Sequence, residues 1–449
     1  MTREGRTLSV CPVCKKRIPA ERVKIGDDVY LNKKCPEHGE FSAIIWRGDS
    51  PSFDMWWSYN APNKAISTDC PNACGLCRSH LNKTCCALVE ITSRCNLRCP
   101  VCFAQSGETT AEPTVAELSE IFTRLVADGN TFVQLSGGEP TVRDDLPEII
   151  AAARKTGCDT VQLNSNSLRL GREAGYAQTL ADAGLSFVFM QFDGVSDVPY
   201  LMLRGEKLLD TKFRAIEACG NAGLGVTLVP TLKPGVNERQ IGAIIEFAVQ
   251  NSPVVRGVHF QPISYFGRYP SPPKNEDRIT LPEVLTAIEE QTGGKFKVSD
   301  FIPSSCDHPR CGFHGDFVVL PQGKIMKLTK KYDPDACCCD DDSNRTGNSK
   351  GIASVTPAGS NSAHLKNRAF VARRWKRSAV DEQKDVAITD DAPDMSAFLS
   401  RVKSHGFTVT AMAFQDAWTL ELERLRKCSL HVISGGRTVP FCAQYLTSL

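Results

Sequence analysis

Twenty cysteines in 449 residues, most of them within two or three positions of another, limit what this chain can become. They fall into groups: Cys11, Cys14 and Cys35; Cys70, Cys74, Cys77, Cys85 and Cys86; Cys95, Cys99 and Cys102; Cys306 and Cys311; Cys337 to Cys339; Cys428 and Cys442. Cys158 and Cys219 stand alone. A disulfide framework has no need of repeated short spacings. One tight turn, in contrast, brings two or three thiolates to a small inorganic centre. The start, MTREGRTLSV, lacks the apolar core of a secretory signal, which also speaks against disulfides.

Charge and hydropathy exclude other classes. The formal net charge is +2, too small for a protein built to coat nucleic acid. No run approaches the roughly 18 apolar residues that span a bilayer. The expectation is a multi-domain cytoplasmic protein in which sulfur holds metal, with peripheral membrane contact as an open option.

Four regions follow. Residues 1–45 read as a small rubredoxin- or ribbon-like metal module, with CPVC at 11–14 and CPEHG at 35–39 around one strand-like stretch, Arg22 to Leu31. So short a segment buries little core, and a metal is its natural staple. Cys11, Cys14 and Cys35 would bind one iron or zinc, with His38 or another cysteine as fourth ligand. Residues 46–86 read as a linker plus an auxiliary cluster segment. Its aromatics Trp46, Phe53, Trp56, Trp57 and Tyr59 suit a lid, a membrane-touching patch or plain packing. Residues 87–300 alternate short β-branched runs with helix-periodic ones. Strands are expected at 87–92, 131–136, 160–164, 187–192, 225–231 and 255–263. Helices are expected near 114–128, 145–156, 171–183, 207–222 and 237–250. Thr114 and Glu117 form a capping-box pattern. Six such units predict an α/β fold with a parallel sheet, a partial (β/α)6 TIM-like barrel open on one side, with its site at the strand carboxyl ends. Residues 301–449 form a C-terminal extension. It includes a loop near 332–364 and a basic stretch, 366–377, that reads as a solvated amphipathic helix or an anion contact.

Chemistry concentrates just after the first barrel strand, in Cys95-Asn-Leu-Arg-Cys99-Pro-Val-Cys102-Phe103. Three thiolates can hold three irons of a [4Fe–4S] cluster and leave the fourth open to substrate, with Phe103 as a shield. The second strand ends in Ser136-Gly137-Gly138-Glu139-Pro140, the third in Asn164-Ser165-Asn166-Ser167, the fourth in Gln191-Phe192-Asp193-Gly194. Polar groups at successive strand ends make one ligand site.

This series resembles the radical S-adenosylmethionine (SAM) superfamily. The resemblance implies that Cys95, Cys99 and Cys102 bind the SAM cluster. It also implies that Gly137, Gly138 and Glu139 receive the methionyl ammonium, and that Phe103, Asn164, Asn166, Gln191 and Asp193 complete the cofactor site. Reductive cleavage of SAM would give a 5′-deoxyadenosyl radical that attacks an unactivated C–H bond. Further stretches, CPEHGEF (35–41), CPNACGLC (70–77), PSSCDHPRCGF (303–313) and RKCSLHVISGGRTVPFC (426–442), resemble one branch of the superfamily. That branch contains archaeal tetraether lipid synthase and a dihydro-hydroxymethylpterin methyltransferase. The branch implies two auxiliary [4Fe–4S] clusters. One is on Cys70, Cys74, Cys77 and Cys85 in preference to Cys86, the other on Cys306, Cys311, Cys428 and Cys442. It also implies a mononuclear iron or zinc. The run at Cys337 to Cys339 matches none of its ligands.

The expected function is C–C coupling or methylation of a lipid or a pterin-like heterocycle, fed by a low-potential donor such as ferredoxin or flavodoxin. A lipid needs a long apolar tunnel, and a heterocycle needs a compact polar pocket. The alternative is a multi-cluster electron-transfer or redox-sensing protein without radical chemistry. Nucleic acid is not an expected partner.

Overall fold

The computed structural model describes residues 2–54, 56, 70–71, 75–77, 79–107, 112–304, 306–329, 374–376 and 395–447. Cys74, the run at Cys337 to Cys339, Trp57, Tyr59 and the loop near 332–364 lie outside them.

Strands β1 (Thr2–Val10), β2 (Arg17–Ile25), β3 (Asp28–Cys35) and β4 (Gly39–Trp46) form an antiparallel sheet in chain order. The single strand expected over Arg22 to Leu31 is a hairpin, in which Ile25 pairs with Asp28 across Gly26 and Asp27. Its apolar residues alternate on both arms, and Val23, Val29 and Leu31 are buried. A period-two pattern that runs on through a tight turn does not reveal the turn.

The second sheet has thirteen strands. Its centre is parallel: β5 (Cys86–Thr92), β6 (Phe132–Gly137), β7 (Thr160–Ser165), β8 (Phe187–Gln191), β9 (Gly225–Val229), the two-residue β10 (Thr231–Leu232) and β11 (Val255–Pro262). The six expected strands appear within two residues of their expected bounds. Their side chains are almost all buried, as strands sandwiched between helices and a barrel interior must be.

The helices around it are α1 (Val115–Ala127), α2 (Leu146–Lys155), α3 (Leu168–Arg172), α4 (Tyr176–Asp182), α5 (Asp197–Arg204), α6 (Leu209–Asn221), α7 (Ile241–Gln250) and α8 (Leu281–Gln291). Helix α1 buries Leu118, Phe122 and Leu125 as one stripe. The Thr114 hydroxyl accepts from the Glu117 amide at 3.2 Å, and the Glu117 carboxylate accepts from the Thr114 amide at 2.8 Å. The helix expected over 171–183 is divided between α3 and α4, with Gly175 in the left-handed region before α4. Helix α5 has no counterpart among the expected helices.

The barrel is not left as six strands. The remaining strands are β12 (Ile302–Pro303), β13 (Gly312–Val319), β14 (Ile325–Lys327), β15 (Gly406–Met412), β16 (Leu430–Ser434) and β17 (Arg437–Pro440). Strand β15 lies parallel to β11, with Val258 opposite Val409, and β13 pairs antiparallel with β15. At the other edge β16 lies parallel to β5, with Leu88 opposite Val432. Strand β17 returns from β16 through Gly435 and Gly436, whose φ of +54° and +75° are those of a two-residue hairpin turn. Covering both edges removes open hydrogen-bonding rows.

The N-terminal sheet is fixed to the barrel by buried charge. Arg22 Nε donates to Glu421 at 2.6 Å, and Arg310 donates to the same carboxylate at 2.7 and 3.0 Å. Lys33 Nζ donates to the Ala417 carbonyl at 2.7 Å. Trp46, Phe53 and Trp56 are buried against one another, and the Trp56 indole donates to the Pro309 carbonyl at 3.0 Å. Of the three readings of this aromatic segment, packing describes these three residues. No helix among the described residues is long and apolar enough to cross a membrane.

Candidate metal centres and active-site cavity

Two kinds of cysteine site emerge. In the N-terminal module the ligand atoms of Cys11, Cys14, Cys35 and His38 all lie within 4.8 Å of one another. His38 Nδ1 is 3.7 Å from Cys11 Sγ and 3.5 Å from Cys35 Sγ. The fourth position left open by the sequence is therefore filled by His38. Burial raises the Cys35 thiol, but hydrogen bonds from His38 and the backbone of Glu37 and His38 outweigh it and hold the group near 6. Three thiols and an imidazole at this spacing fit a tetrahedral zinc or iron.

The second site is a cavity of about 400 Å³ inside the barrel. Cys95, Cys99 and Cys102 line it together with Phe103, Gly137, Gly138 and Glu139. Desolvation pushes Cys95 up to about 11 and raises Cys99. Such thiols stay protonated unless a cation replaces the proton, which is what an iron-binding loop requires. Phe103 packs edge-on to Tyr445 at 4.9 Å, and Tyr445 donates to Glu90 at 2.8 Å.

The glycines also make room for backbone. A Cβ on Gly137 would fall 2.2 Å from the Thr92 carbonyl oxygen, and one on Gly138 would fall 2.1 Å from that of Arg94. The Gly138 and Glu139 amides donate to those two carbonyls, each at 2.8 Å. The pair thus seats the start of the cysteine loop. Its close approach is to backbone, not only to a ligand. The Glu139 carboxylate is likewise engaged. It accepts from the Thr141 amide and hydroxyl at 3.0 and 2.6 Å, the Ser165 hydroxyl at 2.7 Å and the Asn166 amide at 2.6 Å. Four neutral donors surround a group expected to face an ammonium. Glu139 ties the end of β6 to the end of β7.

Asn164, Asn166 and Gln191 line the cavity, whereas Asp193 is fully buried and does not. Its carboxylate takes a bidentate pair from Arg204 at 2.7 and 2.8 Å. Arg204 reaches the cavity instead, beside Cys99. Burial alone would lower the guanidinium, but Asp193 holds it above its ordinary value. Arg204 ends α5, the unexpected helix, so no strand-end pattern could point to it. Lys212 of α6 was missed for the same reason. It is fully buried, donates to the Asn166 carbonyl and, at 3.2 Å, to Gln191 Oε1, and desolvation lowers it to about 7.

The cavity wall also carries His259, Gln261, Thr408, Thr410 and Trp375. Trp375 belongs to the basic stretch read as a solvated helix or an anion contact. Its indole is buried and donates to Thr408 at 2.9 Å, while Arg374 pairs with Asp316 at 2.6 Å. Trp375 is thus packed rather than solvated, beside Phe132 and Phe187 at the amino ends of β6 and β8, and 366–373 and 377 lie outside the described residues.

The auxiliary sets are partly assembled. Cys311, Cys428 and Cys442 lie within electrostatic reach of one another and of Asp307, and Lys427 is shared by Cys306 and Cys311. Arg424 donates to Cys311 Sγ at 3.5 Å. Cys70 is buried and Cys77 exposed, while Cys85 and Cys86 both line the cavity. Cys158 and Cys219 are buried behind the sheet as structural residues.

Residues 89–248 match the model of the radical SAM superfamily, and residues 4–47 match an HMPTM N-terminal zinc ribbon domain. The chain is 34% identical to the 7,8-dihydro-6-hydroxymethylpterin dimethyltransferase of Methanocaldococcus jannaschii, over 98% of this chain and 93% of that protein. It is 31% identical to the Fe-coproporphyrin III synthase of Methanosarcina barkeri over 44% of this chain and 49% of that one. Among solved structures, SuiB of Streptococcus suis bound to precursor peptide SuiA is similar with a TM-score of 0.37 and 12% identity, covering 54% of this chain and 63% of that one.

Proposed function

This chain belongs to the radical SAM superfamily and to the family of the M. jannaschii pterin dimethyltransferase, and from that premise we propose that it methylates an unactivated carbon of a reduced pterin. One observation carries the substrate reading. The relative that matches 98% of this chain is a 7,8-dihydro-6-hydroxymethylpterin dimethyltransferase, and the cavity beside the cysteine loop, about 400 Å³, sets Gln261, His259 and Thr410 into a largely apolar wall. That volume lies in the ordinary range for small-molecule sites. Those few polar groups suit the edge of a nitrogen-rich ring, and an isoprenoid chain would leave them unpaired. The electron-carrier alternative would have no use for this cavity, and the full-length relative is a methyl-transferring enzyme.

In this reading Cys95, Cys99 and Cys102 hold the [4Fe–4S] cluster, and the ribbon holds zinc or iron. Cys70, Cys74, Cys77 and Cys85, and Cys306, Cys311, Cys428 and Cys442, hold the two auxiliary clusters. When bound, the cluster and SAM supply a carbon-centred radical after one electron arrives from a low-potential donor such as ferredoxin or flavodoxin. The chain does the rest. Arg204, fixed by Asp193, presents its guanidinium to a carboxylate, the charge that the methionyl end carries. Glu139 holds the Ser165–Asn166 turn, so Asn164, Asn166 and Gln191 meet ribose hydroxyls in fixed positions. Lys212 locks two of those groups from behind. Phe103 and its aromatic partners exclude water from the cysteine loop. The division into residues 1–45, 46–86, 87–300 and 301–449 is one of ligand sets, not of separable bodies.

The test is anaerobic incubation of the reconstituted, reduced protein with SAM and 7,8-dihydro-6-hydroxymethylpterin. With SAM as both radical source and methyl donor, and one electron from the reductant for each, the expected products are 5′-deoxyadenosine, S-adenosylhomocysteine and a methylated pterin by mass spectrometry, all absent with Cys95→Ala. Deoxyadenosine without any change in the pterin would overturn the substrate and leave the radical chemistry.

A further inference from the structure

One part of the cavity wall has no role in the scheme above. It lies two residues further into the barrel than Gln191, at Phe189 of β8, and faces His259 of β11. The rings of Phe189 and His259 are 5.1 Å apart, and Trp375 lies 5.2 Å from Phe189 and 6.4 Å from His259. The Trp375 N–H is committed to Thr408, so the indole offers only its face.

His259 Nδ1 is 2.8 Å from Thr410 Oγ1, and that hydroxyl has the Val258 carbonyl at 3.4 Å as its acceptor. An Nδ1–H that donates to Thr410 lets the hydroxyl pass its own proton to that carbonyl, and so satisfies both contacts at once. The ring is then the Nδ1–H tautomer, and Nε2 is an acceptor with no partner among the described residues. Burial also lowers this imidazole to about 4, so it is neutral near pH 7. A cation would donate from both nitrogens, but this ring can receive one hydrogen bond.

We propose that His259 is a specificity-determining residue whose Nε2 accepts a ring N–H of a flat heterocyclic substrate seated against the joined rings of Phe189 and Trp375. This rests on the pterin reading and goes beyond it by naming the atom that reads the ring. A ligand without an N–H leaves the buried acceptor unpaired, the strongest form of discrimination a small site has.

The experiment is anaerobic calorimetric titration of the reconstituted holoenzyme with 7,8-dihydro-6-hydroxymethylpterin, on wild type and on His259→Phe, His259→Asn and His259→Gln. Glutamine carries an amide oxygen to the reach of Nε2, whereas asparagine reaches only to Nδ1. Phe and Asn are expected to weaken binding about tenfold, with Gln within about threefold of wild type. Iron content and pterin-independent 5′-deoxyadenosine formation should be equal in all four. Thr410→Val leaves His259 in place but frees its tautomer, and is expected to weaken binding about threefold. Wild-type affinity in the Phe and Asn variants, or a Gln variant as weak as Phe, overturns the assignment while the pterin reading stands. A wild-type enzyme that does not bind the pterin overturns both.

Discussion

The N-terminal ribbon and the barrel loop contain the same C-x2-C spacing and reach opposite ends with it. In the ribbon, His38 completes a set of four ligand atoms that lie within 4.8 Å of one another. In the barrel, Cys95, Cys99 and Cys102 face a cavity, and the groups that share it are amides, an arginine and aromatic rings. A closed set holds a metal for structure, and an open one offers it to a substrate. The spacing of cysteines says that a metal is held. What stands opposite them says what the metal is for.

Substitutions can break that contrast. Cys99→Ala should abolish 5′-deoxyadenosine formation, by about 10⁴-fold or more, and leave the ribbon metal bound, as read by product assay and metal analysis. His38→Ala should act the other way. The ribbon metal is lost and the midpoint of thermal unfolding falls by about 10 °C, while the holoenzyme that survives still cleaves SAM. If His38→Ala abolished cleavage while the chain stayed folded, the ribbon would not be merely structural.

The joint between the two regions comes next. Glu421 is held near 2: burial raises it, but Arg310 and Arg22 outweigh that. Its folded value is below the unfolded one, so its contribution to stability is present above about pH 4.3 and lost as pH falls toward 2. Glu421→Gln should cost about 3 kcal/mol at pH 7, since it removes the charge that Arg310 pairs with and one of the two that Arg22 pairs with, and should flatten the acid limb of the stability curve. Glu139→Gln keeps the shape but turns a donor toward the Asn166 amide. It should raise KM for SAM about tenfold, with ribbon metal unchanged. Trp56→Phe removes one hydrogen bond to Pro309 and should cost only about 1 kcal/mol in urea unfolding.

The barrel was legible because its strands are runs of buried β-branched and aromatic residues, and because its ligands sit at strand ends, where an alternating pattern places them. Arg204, Lys212, His259 and Trp375 were not. Arg204 ends α5, which has no counterpart among the expected helices, and Lys212 lies on α6, whose periodicity explains it as an ordinary position. His259 lies in a strand interior, where its neighbours Val258 and Phe260 read as core. Trp375 comes from a basic stretch more than 100 residues beyond the last parallel barrel strand, and only the folded chain puts it against Phe189. Contacts of that sequence separation leave no local periodicity. Strands β15 and β16, which flank the parallel set, escaped for the same reason, since their partners are set by topology.

Those flanking strands have a consequence for how the protein is made. A ribosome that has delivered the first 400 residues has produced every parallel strand from β5 to β11. It has not yet produced β15, which completes one wall with Thr408 and Thr410, or β16, which lies against β5 beside Cys428. Until then the nascent barrel is a trough with both long sides exposed. The wall that carries Thr408 and Thr410 is thus the last part of the cavity to be made, and the cysteine loop is synthesised about 300 residues before it.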